Sequence, residues 1–260
     1  MRQTKPIARA VKKRKVRGVF VTGTDTGVGK TVAASVLAAW AHASGRDVGV
    51  MKPIATGAND RDASGELISD DARLLAQACG SREAFAWITP ACFKEPLAPL
   101  TAARRASKTI SLRLIRRAFS FIASRHSTVI VEGVGGLLVP ITERLMVVDL
   151  ARSLGLPIVI VARTRLGTLN HTLMTLACAR AARLTIAGVI CVQSEPAGKD
   201  PMDRVAQKTN PQLIRRLGKV PLLGVLPYDP AAHSADPTRR VAALRRLSRH
   251  LDTRVLARWL

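Results

Sequence analysis

The segment from Gly18 to Trp40 places a glycine-rich turn between a strand-like run and the start of a helix. It reads GVFVTGTDTGVGKTVAASVLAAW, and Lys30 and Thr31 stand where the helix begins. Glycines in such a turn let backbone N–H groups converge on phosphate oxygens, and the helix N-terminus adds partial positive charge. A phosphate-binding loop requires this order of elements around it. The sequence therefore predicts an α/β fold that binds a nucleotide.

The residue types in the loop indicate separate tasks. Lys30 can reach the terminal phosphates as a point charge, and the Thr31 hydroxyl can bind Mg²⁺. We expect ATP as the co-substrate and Mg²⁺ as the cofactor. The predicted nucleotide contacts in the loop are Thr26, Gly27, Val28, Gly29, Lys30, Thr31 and Val32.

β-Branched apolar runs alternate with helix-period segments along most of the chain, which is typical of α/β proteins. Several of these runs are apolar on both faces, as strands of a buried parallel sheet are. The predicted strands are 19–22, 48–51, 129–131, 157–162, 186–192 and 221–226, and the predicted helices are 31–44, 70–79, 112–123, 145–154 and 171–182. We predict one doubly wound domain of the P-loop NTPase type, residues 17–260, with a mostly parallel sheet flanked by helices.

The chain is strongly basic, with 41 Lys and Arg against 18 Asp and Glu and a net charge of +23. Residues 1–17 carry eight Lys or Arg and no acid, while residues 237–260 carry seven Arg and one acid. Clustered cations suit nucleic acid or anionic membranes, but only nine aromatic residues are present for stacking on bases. We read 1–16 as a mobile basic arm and 241–255 as one amphipathic helix, and we expect no nucleic-acid or membrane partner.

Deletion of residues 2–15 should leave turnover at physiological salt nearly unchanged, because the basic arm lies outside every motif that points to chemistry. A steady-state assay of the shortened chain measures this. A tenfold loss of turnover would show that the arm belongs to the site.

The spacing in the loop separates it from the commonest phosphate-binding loops. Five residues lie between Gly23 and Gly29 instead of four. The loop also lacks the additional lysine of the KGGxGK form found in partitioning and division-site ATPases. Together with VMKPIATG (50–57), VEGVGGLLVP (131–140) and LGTLNHTLMTL (166–176), the segment GTDTGVGKT resembles dethiobiotin synthetase of biotin biosynthesis. The resemblance runs from about Gly18 to Tyr228.

The second motif places Lys52 at the end of a strand, where ligands bind in an open parallel sheet. Lys52 should therefore face the same phosphates as Lys30. The resemblance implies that Lys52 is the catalytic lysine and that Thr56 contacts the substrate. The segment 93–99, FKEPLAP, resembles the family's loop that flanks the substrate.

Two carboxylates are candidates to complete the metal site with Thr31. Glu132 follows the predicted strand 129–131, where a buried acid would be costly without a cation. The resemblance aligns Asp71 as the other ligand. Because Asp70 is adjacent, the alignment leaves open which of the two aspartates binds the metal. Further nucleotide contacts are predicted in the turn after Glu132, at Gly133, Val134 and Gly135, and later at Pro227, Tyr228 and Asp229.

The fourth motif predicts a helix capped by Asn170, whose exposed N–H groups would bind a carboxylate. The resemblance implies that this segment reaches across a two-fold interface to the substrate of the partner subunit, so a homodimer is expected. The substrate contacts it implies here are Gly167, Thr168, Leu169 and Asn170.

The family commonly has an asparagine near the nucleobase just after the strand 186–192. Here the aligned residue is Val192 or Gln193, so the sequence leaves base preference open.

The resemblance implies an ATP- and Mg²⁺-dependent ligase that forms dethiobiotin from 7,8-diaminononanoate and CO₂, through a carbamate and a carbamic-phosphoric anhydride. The sequence leaves two alternative functions open: a related amidating synthase, and a partitioning- or division-type ATPase on DNA or membrane.

The four cysteines are far apart in sequence and no CxxC pair occurs, which favours reduced thiols and a soluble, cytoplasmic protein.

Overall fold

A computed structural model describes residues 16–62, 65–196 and 201–260 of the chain. The strands, in chain order, are β1 (Arg17–Gly23), β2 (Val48–Met51), β3 (Ile54–Ala55), β4 (Asp60–Arg61), β5 (Leu67–Ile68), β6 (Ala91–Cys92), β7 (Thr128–Gly136), β8 (Ile158–Arg163), β9 (Ile186–Val192) and β10 (Leu222–Leu226). The basic arm lies outside the described residues apart from Val16.

The helices are numbered in the same way. They are α1 (Lys30–Ala43), α2 (Asp70–Cys79), α3 (Phe85–Ile88), α4 (Pro99–Arg105), α5 (Leu112–Arg125), α6 (Val147–Leu154), α7 (Thr168–Ala181), α8 (Pro201–Gly218), α9 (Pro237–Leu247) and α10 (Thr253–Leu256). Within the described ranges, no helix is long and apolar enough to cross a membrane.

Six strands form the central sheet in the order β10-β9-β8-β1-β7-β2. Every neighbouring pair in it is parallel. Alternate side chains of β1 enter opposite cores: Val19 and Val21 pack with α1, α2 and α9, whereas Phe20 packs with α5, α6 and α7. Since both faces are covered, the strands are apolar throughout, and the predicted doubly wound α/β fold is confirmed.

Two helix ends follow the sequence signals closely. The Ser69 hydroxyl accepts the N–H of Ala72 and begins α2, and Gly80 ends that helix with a left-handed φ of 65°. Such caps satisfy backbone groups that the helix itself leaves unpaired. The predicted bounds of α2 and β9 agree with the structure.

The prediction that Asn170 caps a helix was wrong. The helix α7 begins at Thr168, with Gly167 as the capping residue at a φ of 88°. The Thr168 hydroxyl donates to the carbonyl of Arg163, which holds the first turn against the end of β8. Asn170 is therefore the third residue of the helix.

The glycine-rich stretch after Glu132 is also not a turn. It continues β7, whose Gly136 pairs with Gly23 of β1. This extension places Glu132 inside the strand, with Val21 as its neighbour in register.

The C-terminal segment forms three short helical pieces instead of one helix over 241–255. A 3₁₀ turn at Ser248–His250 follows α9, and Leu251 then forms a bridge with Gly224 in the edge strand β10. Asp252 caps α10 by accepting the N–H of Val255. The pairing of Leu251 with the edge of the sheet thus interrupts the single helix that the apolar spacing over 241–255 predicts.

Candidate functional site

The glycine-rich loop between β1 and α1 has the backbone geometry of a phosphate cradle. Gly27 and Gly29 have left-handed φ values of 70° and 90°. A Cβ on Gly29 would lie 2.7 Å from Cγ1 of Val192, so a side chain there would strike β9. No side chain caps the start of α1. The loop therefore presents unsatisfied backbone N–H groups at a helix N-terminus, where an anion binds well.

Lys30 begins α1 and turns back over the loop. Its side chain donates to the carbonyl of Asp25 at 2.8 Å, and only 8% of the residue is exposed. Burial, assisted by repulsion from Lys52, lowers the pKa of Lys30 from 10.5 to about 8. Within the described chain this ammonium forms no salt bridge. An incoming phosphate would therefore meet a cation that no carboxylate neutralises.

Lys52 lies just beyond β2 and is held by two carboxylates. Its Nζ is 2.5 Å from Oε1 of Glu132 and 2.6 Å from Oδ2 of Asp71. A weaker contact of 3.3 Å runs to the carbonyl of Gly133. Lys52 is 3% exposed and Glu132 is fully buried. The ammonium is therefore fixed in position between β2, β7 and α2.

The hydroxyl of Thr31 joins this cluster to the phosphate loop. Its Oγ1 lies 2.9 Å from Oδ1 of Asp71 and 2.9 Å from Oε1 of Glu132. Asp71, and not Asp70, makes these contacts, because the first turn of α2 directs the two side chains differently. Thr31 and Lys52, which are distant in sequence, thus each contact both Asp71 and Glu132.

The charges in the cluster stabilise each other despite burial. Burial alone would lower the pKa of Lys52, but Glu132 and Asp71 raise it above its usual value. For Asp71, burial opposes ionisation, and the adjacent Lys52 outweighs it and lowers the pKa. Burial raises the pKa of Glu132. The cluster thus retains a cationic Lys52 and an anionic Asp71 at neutral pH.

The oxygens in this cluster fit Mg²⁺. Two carboxylates and a hydroxyl converge, and Oε2 of Glu132 is buried with no hydrogen-bond partner among the described residues. Oxygen ligands of this kind suit Mg²⁺, which also retains water and phosphate ligands. In the described part of the chain, no three His, Cys, Asp or Glu side chains are placed so that they could hold a metal ion by themselves, so phosphate and water would have to complete the coordination.

The cluster opens into a cavity of about 890 Å³ with the phosphate loop as its floor. On the side of β2 and β7, its wall includes the predicted Thr56, Val134 and Gly135 and the loop Pro96–Pro99. On the side of β9 and β10, the wall includes Gln193 and the predicted Pro227, Tyr228 and Asp229. The predicted sites from three motifs therefore share one cavity.

Other predicted site residues lie elsewhere. Val28 is 1% exposed and packs in the core, although its backbone remains part of the loop. Gly167 and Asn170 are exposed, and Leu169 and Thr168 are not part of the cavity wall. Gly167 and Asn170 thus lie on the surface, next to Leu166, which is 87% exposed, whereas Thr168 between them is buried.

Some cavity residues carry no sequence signal because elements distant along the chain supply them. Arg240 and Leu247 reach the cavity from α9, far along the chain from the phosphate loop. Arg163 at the end of β8 donates from Nη2 to the carbonyl of Thr26 at 2.9 Å and so supports the loop from outside. The only sequence signal for Arg163 was its place at the end of a predicted strand.

Comparisons with known proteins agree with this geometry. A family model described as an AAA domain matches residues 17–235. The ATP-dependent dethiobiotin synthetase BioD of Thermodesulfovibrio yellowstonii is 40% identical over 218 residues, which cover 81% of this chain and 88% of that protein. The protein of the same name from Anaeromyxobacter dehalogenans is 42% identical over 229 residues, covering 88% of this chain and 96% of that protein.

Among solved structures, the septum site-determining protein MinD from Pyrococcus horikoshii, complexed with Mg-ADP, superposes with a TM-score of 0.55. The match covers 91% of this chain and 96% of that one at 16% identity, so it shows a common P-loop fold alone. The similar sequences support dethiobiotin synthesis and do not support the partitioning-type ATPase. The fold neighbour does not distinguish between these two functions.

Proposed function

The chain belongs to the family of ATP-dependent dethiobiotin synthetases, and we propose that it closes the ureido ring of dethiobiotin on 7,8-diaminononanoate with CO₂ and ATP. Such an enzyme is a ligase that forms carbon–nitrogen bonds. The observation that carries the proposal is Lys52, fixed between Glu132 and Asp71 beside the phosphate loop.

The reaction that the family implies has three steps. One amine of the substrate adds CO₂ and loses a proton to give a carbamate. A carbamate oxygen attacks the γ-phosphorus of ATP, ADP leaves, and a carbamic-phosphoric anhydride forms. The second amine attacks the carbonyl carbon, loses a proton and expels phosphate, which closes the ring.

The residues of the cluster act by positioning and by charge. Lys30 and Lys52 both line the cavity and would contact the terminal phosphate, where negative charge is transferred. Thr56 and the loop Pro96–Pro99 line the side of the cavity next to Lys52. A diamine bound there would hold its carbamate in line with the phosphate, which reduces the entropic barrier.

Thr31, Asp71 and Glu132 are the residues that would hold Mg²⁺. When bound, the ion would neutralise charge on the phosphate oxygens. Lys52 contacts both of these carboxylates, so the same two acids that would hold the ion also position this ammonium.

A direct assay tests the proposed function. Purified protein with 7,8-diaminononanoate, bicarbonate, ATP and Mg²⁺ should form dethiobiotin in amounts equal to the ADP released. Mass spectrometry of the product measures this, and omission of the diamine is the control. ADP release without dethiobiotin would refute the proposal.

We also propose a homodimer in the cytoplasm. The four cysteines are free in the structure, in keeping with a reducing compartment. Apolar side chains around the segment 167–170 stand in solvent: Leu166 is 87% exposed and Met174 is 56% exposed. Such a patch is typical of an interface. A partner subunit packed here would bring the N-terminus of α7 to the substrate carboxylate.

Replacement of Leu166 by Asp should convert the dimer to a monomer, because a charge at the centre of an apolar interface is costly to bury. The KM for the diamine should rise about tenfold or more, whereas ATP binding should be retained. Analytical ultracentrifugation and steady-state kinetics measure the two effects. Leu114→Asp is the matched control, since Leu114 is 51% exposed on α5, which packs on β2 and α3 near the other edge of the sheet. A dimer that survives Leu166→Asp with an unchanged KM would contradict the proposed interface.

A further inference from the structure

We propose that Arg240 on α9 binds the base of the nucleotide and contributes to the choice of nucleoside triphosphate. The inference rests on the proposed function insofar as that function requires a nucleotide in the cavity. It assigns a role to a helix that lies beyond residues 17–235, the part of the chain that the family model matches.

The order of the sheet determines which end of the cavity receives the base. Lys52 and Glu132 lie at β2 and β7, on one side of β1. The terminal phosphate must point toward these charges. The nucleoside therefore extends to the other side, where β9 and β10 end.

That end of the cavity offers flat and apolar surfaces. The rings of Tyr228 and His233 are stacked with centroids 6.4 Å apart, and Ala232 and Leu247 lie beside them on the wall. These surfaces suit the faces of a base more than a charged or hydroxylated group. Val192 packs against Gly29 and offers no polar atom from its side chain.

Several polar side chains line this end of the cavity, among them Gln193, Ser194 and Asp229. The amide of Gln193 donates to Oε1 of Gln207 at 3.3 Å. Asp229 is engaged by Arg246, whose Nε lies 3.2 Å from its carboxylate. Both groups thus have partners within the protein.

Arg240 differs from the neighbouring arginines of α9. Arg239 forms an ion pair with Asp236 at 3.6 Å, and Arg246 pairs with Asp229. Arg240 lines the cavity, but its side chain forms no ion pair or hydrogen bond with any of the residues described. Its guanidinium therefore keeps donor groups that a ligand in the cavity can engage.

The chemistry of arginine limits what the ligand can offer. A guanidinium only donates hydrogen bonds, so the ligand group must be an acceptor. Ring nitrogens and carbonyl oxygens on base edges are such acceptors, and planar arginine side chains bind them well. Arg240 would therefore stabilise a base that turns an acceptor toward α9.

Binding measurements on Arg240→Ala test the inference. The Kd for ATP should rise about tenfold, because one buried hydrogen bond to the base is lost. The Kd for inorganic tripolyphosphate, which can contact only the phosphate end, should be unchanged and also shows that the loop remains folded. Isothermal titration calorimetry measures both. Arg239→Ala is the matched control and should bind ATP like the wild type.

Three outcomes would overturn the inference. The first is an unchanged affinity of Arg240→Ala for ATP, and the second is an equal loss of affinity for ATP and tripolyphosphate. The third is a wild-type affinity for ATP in Arg240→Lys, which would show that the positive charge alone is the cause. Failure of the proposed function would look different: the wild type would bind ATP yet form no dethiobiotin.

Discussion

Replacement of Lys52 by alanine should lower the rate of dethiobiotin formation by about 10³-fold or more, because a fixed cation at the transferred phosphate is lost. Lys30 cannot replace it, since Lys30 is held at the start of α1 and already has its own place at the terminal phosphate. The loss should appear in kcat, because the charge matters most as the phosphoryl group transfers. Single-turnover measurement of ADP release gives the rate of this step.

Two controls separate catalysis from folding in this experiment. Binding of ADP, which lacks the terminal phosphate, should stay within about threefold of the wild-type value. Lys108→Ala removes an exposed lysine that is not part of the cavity wall and should retain full activity. Wild-type turnover in Lys52→Ala would remove Lys52 from the mechanism.

The thermal stability of the Lys52→Ala variant should also fall. Glu132 is fully buried and would lose its closest cation. Breaking a buried ion pair from one side costs about 3–5 kcal/mol, part of which protonation of Glu132 would relieve. Differential scanning calorimetry measures this loss of stability. A folded but less stable variant would not by itself show a lower kcat, so the two effects are separate.

The Asp71→Asn variant should require about tenfold more Mg²⁺ for half-maximal activity and turn over about 10²-fold more slowly, since one carboxylate charge leaves the site. Asp71 also holds Lys52 at 2.6 Å, so the same change releases that ammonium on one side. Mg²⁺ titration of initial rates provides the measurement.

The adjacent Asp70 supplies a closely matched control. It lies in the same first turn of α2 but makes neither the contact with Thr31 nor that with Lys52. Asp70→Asn should stay within about twofold of the wild type, because Asp70 lines the cavity but is exposed and contacts neither Thr31 nor Lys52. If Asp70→Asn had the larger effect, the metal role would pass to Asp70 and the arrangement of the cluster would have to be revised.

Local sequence signals predicted the fold and the phosphate loop well. The strand 186–192 and the helix 70–79 agree with β9 and α2, because apolar runs and flanking caps are local properties. The helix α8 was missed, since Pro211 lies inside it and interrupts the pattern expected of a helix. Its buried Asn210 donates to the carbonyl of Thr164, so tertiary contacts hold this helix in place.

By itself, the sequence determined the chemistry of the site: a lysine and a threonine opening a helix after a glycine-rich turn, a second lysine at a strand end, and acids to accompany them. Residue types and spacing carry that information because backbone conformation and side-chain chemistry are local. Only the tertiary structure decided that Asp71 and not Asp70 meets Thr31, that Glu132 lies within β7, and that Arg240 reaches the nucleotide cavity. These depend on how distant elements pack and pair, and packing is decided by the fold as a whole.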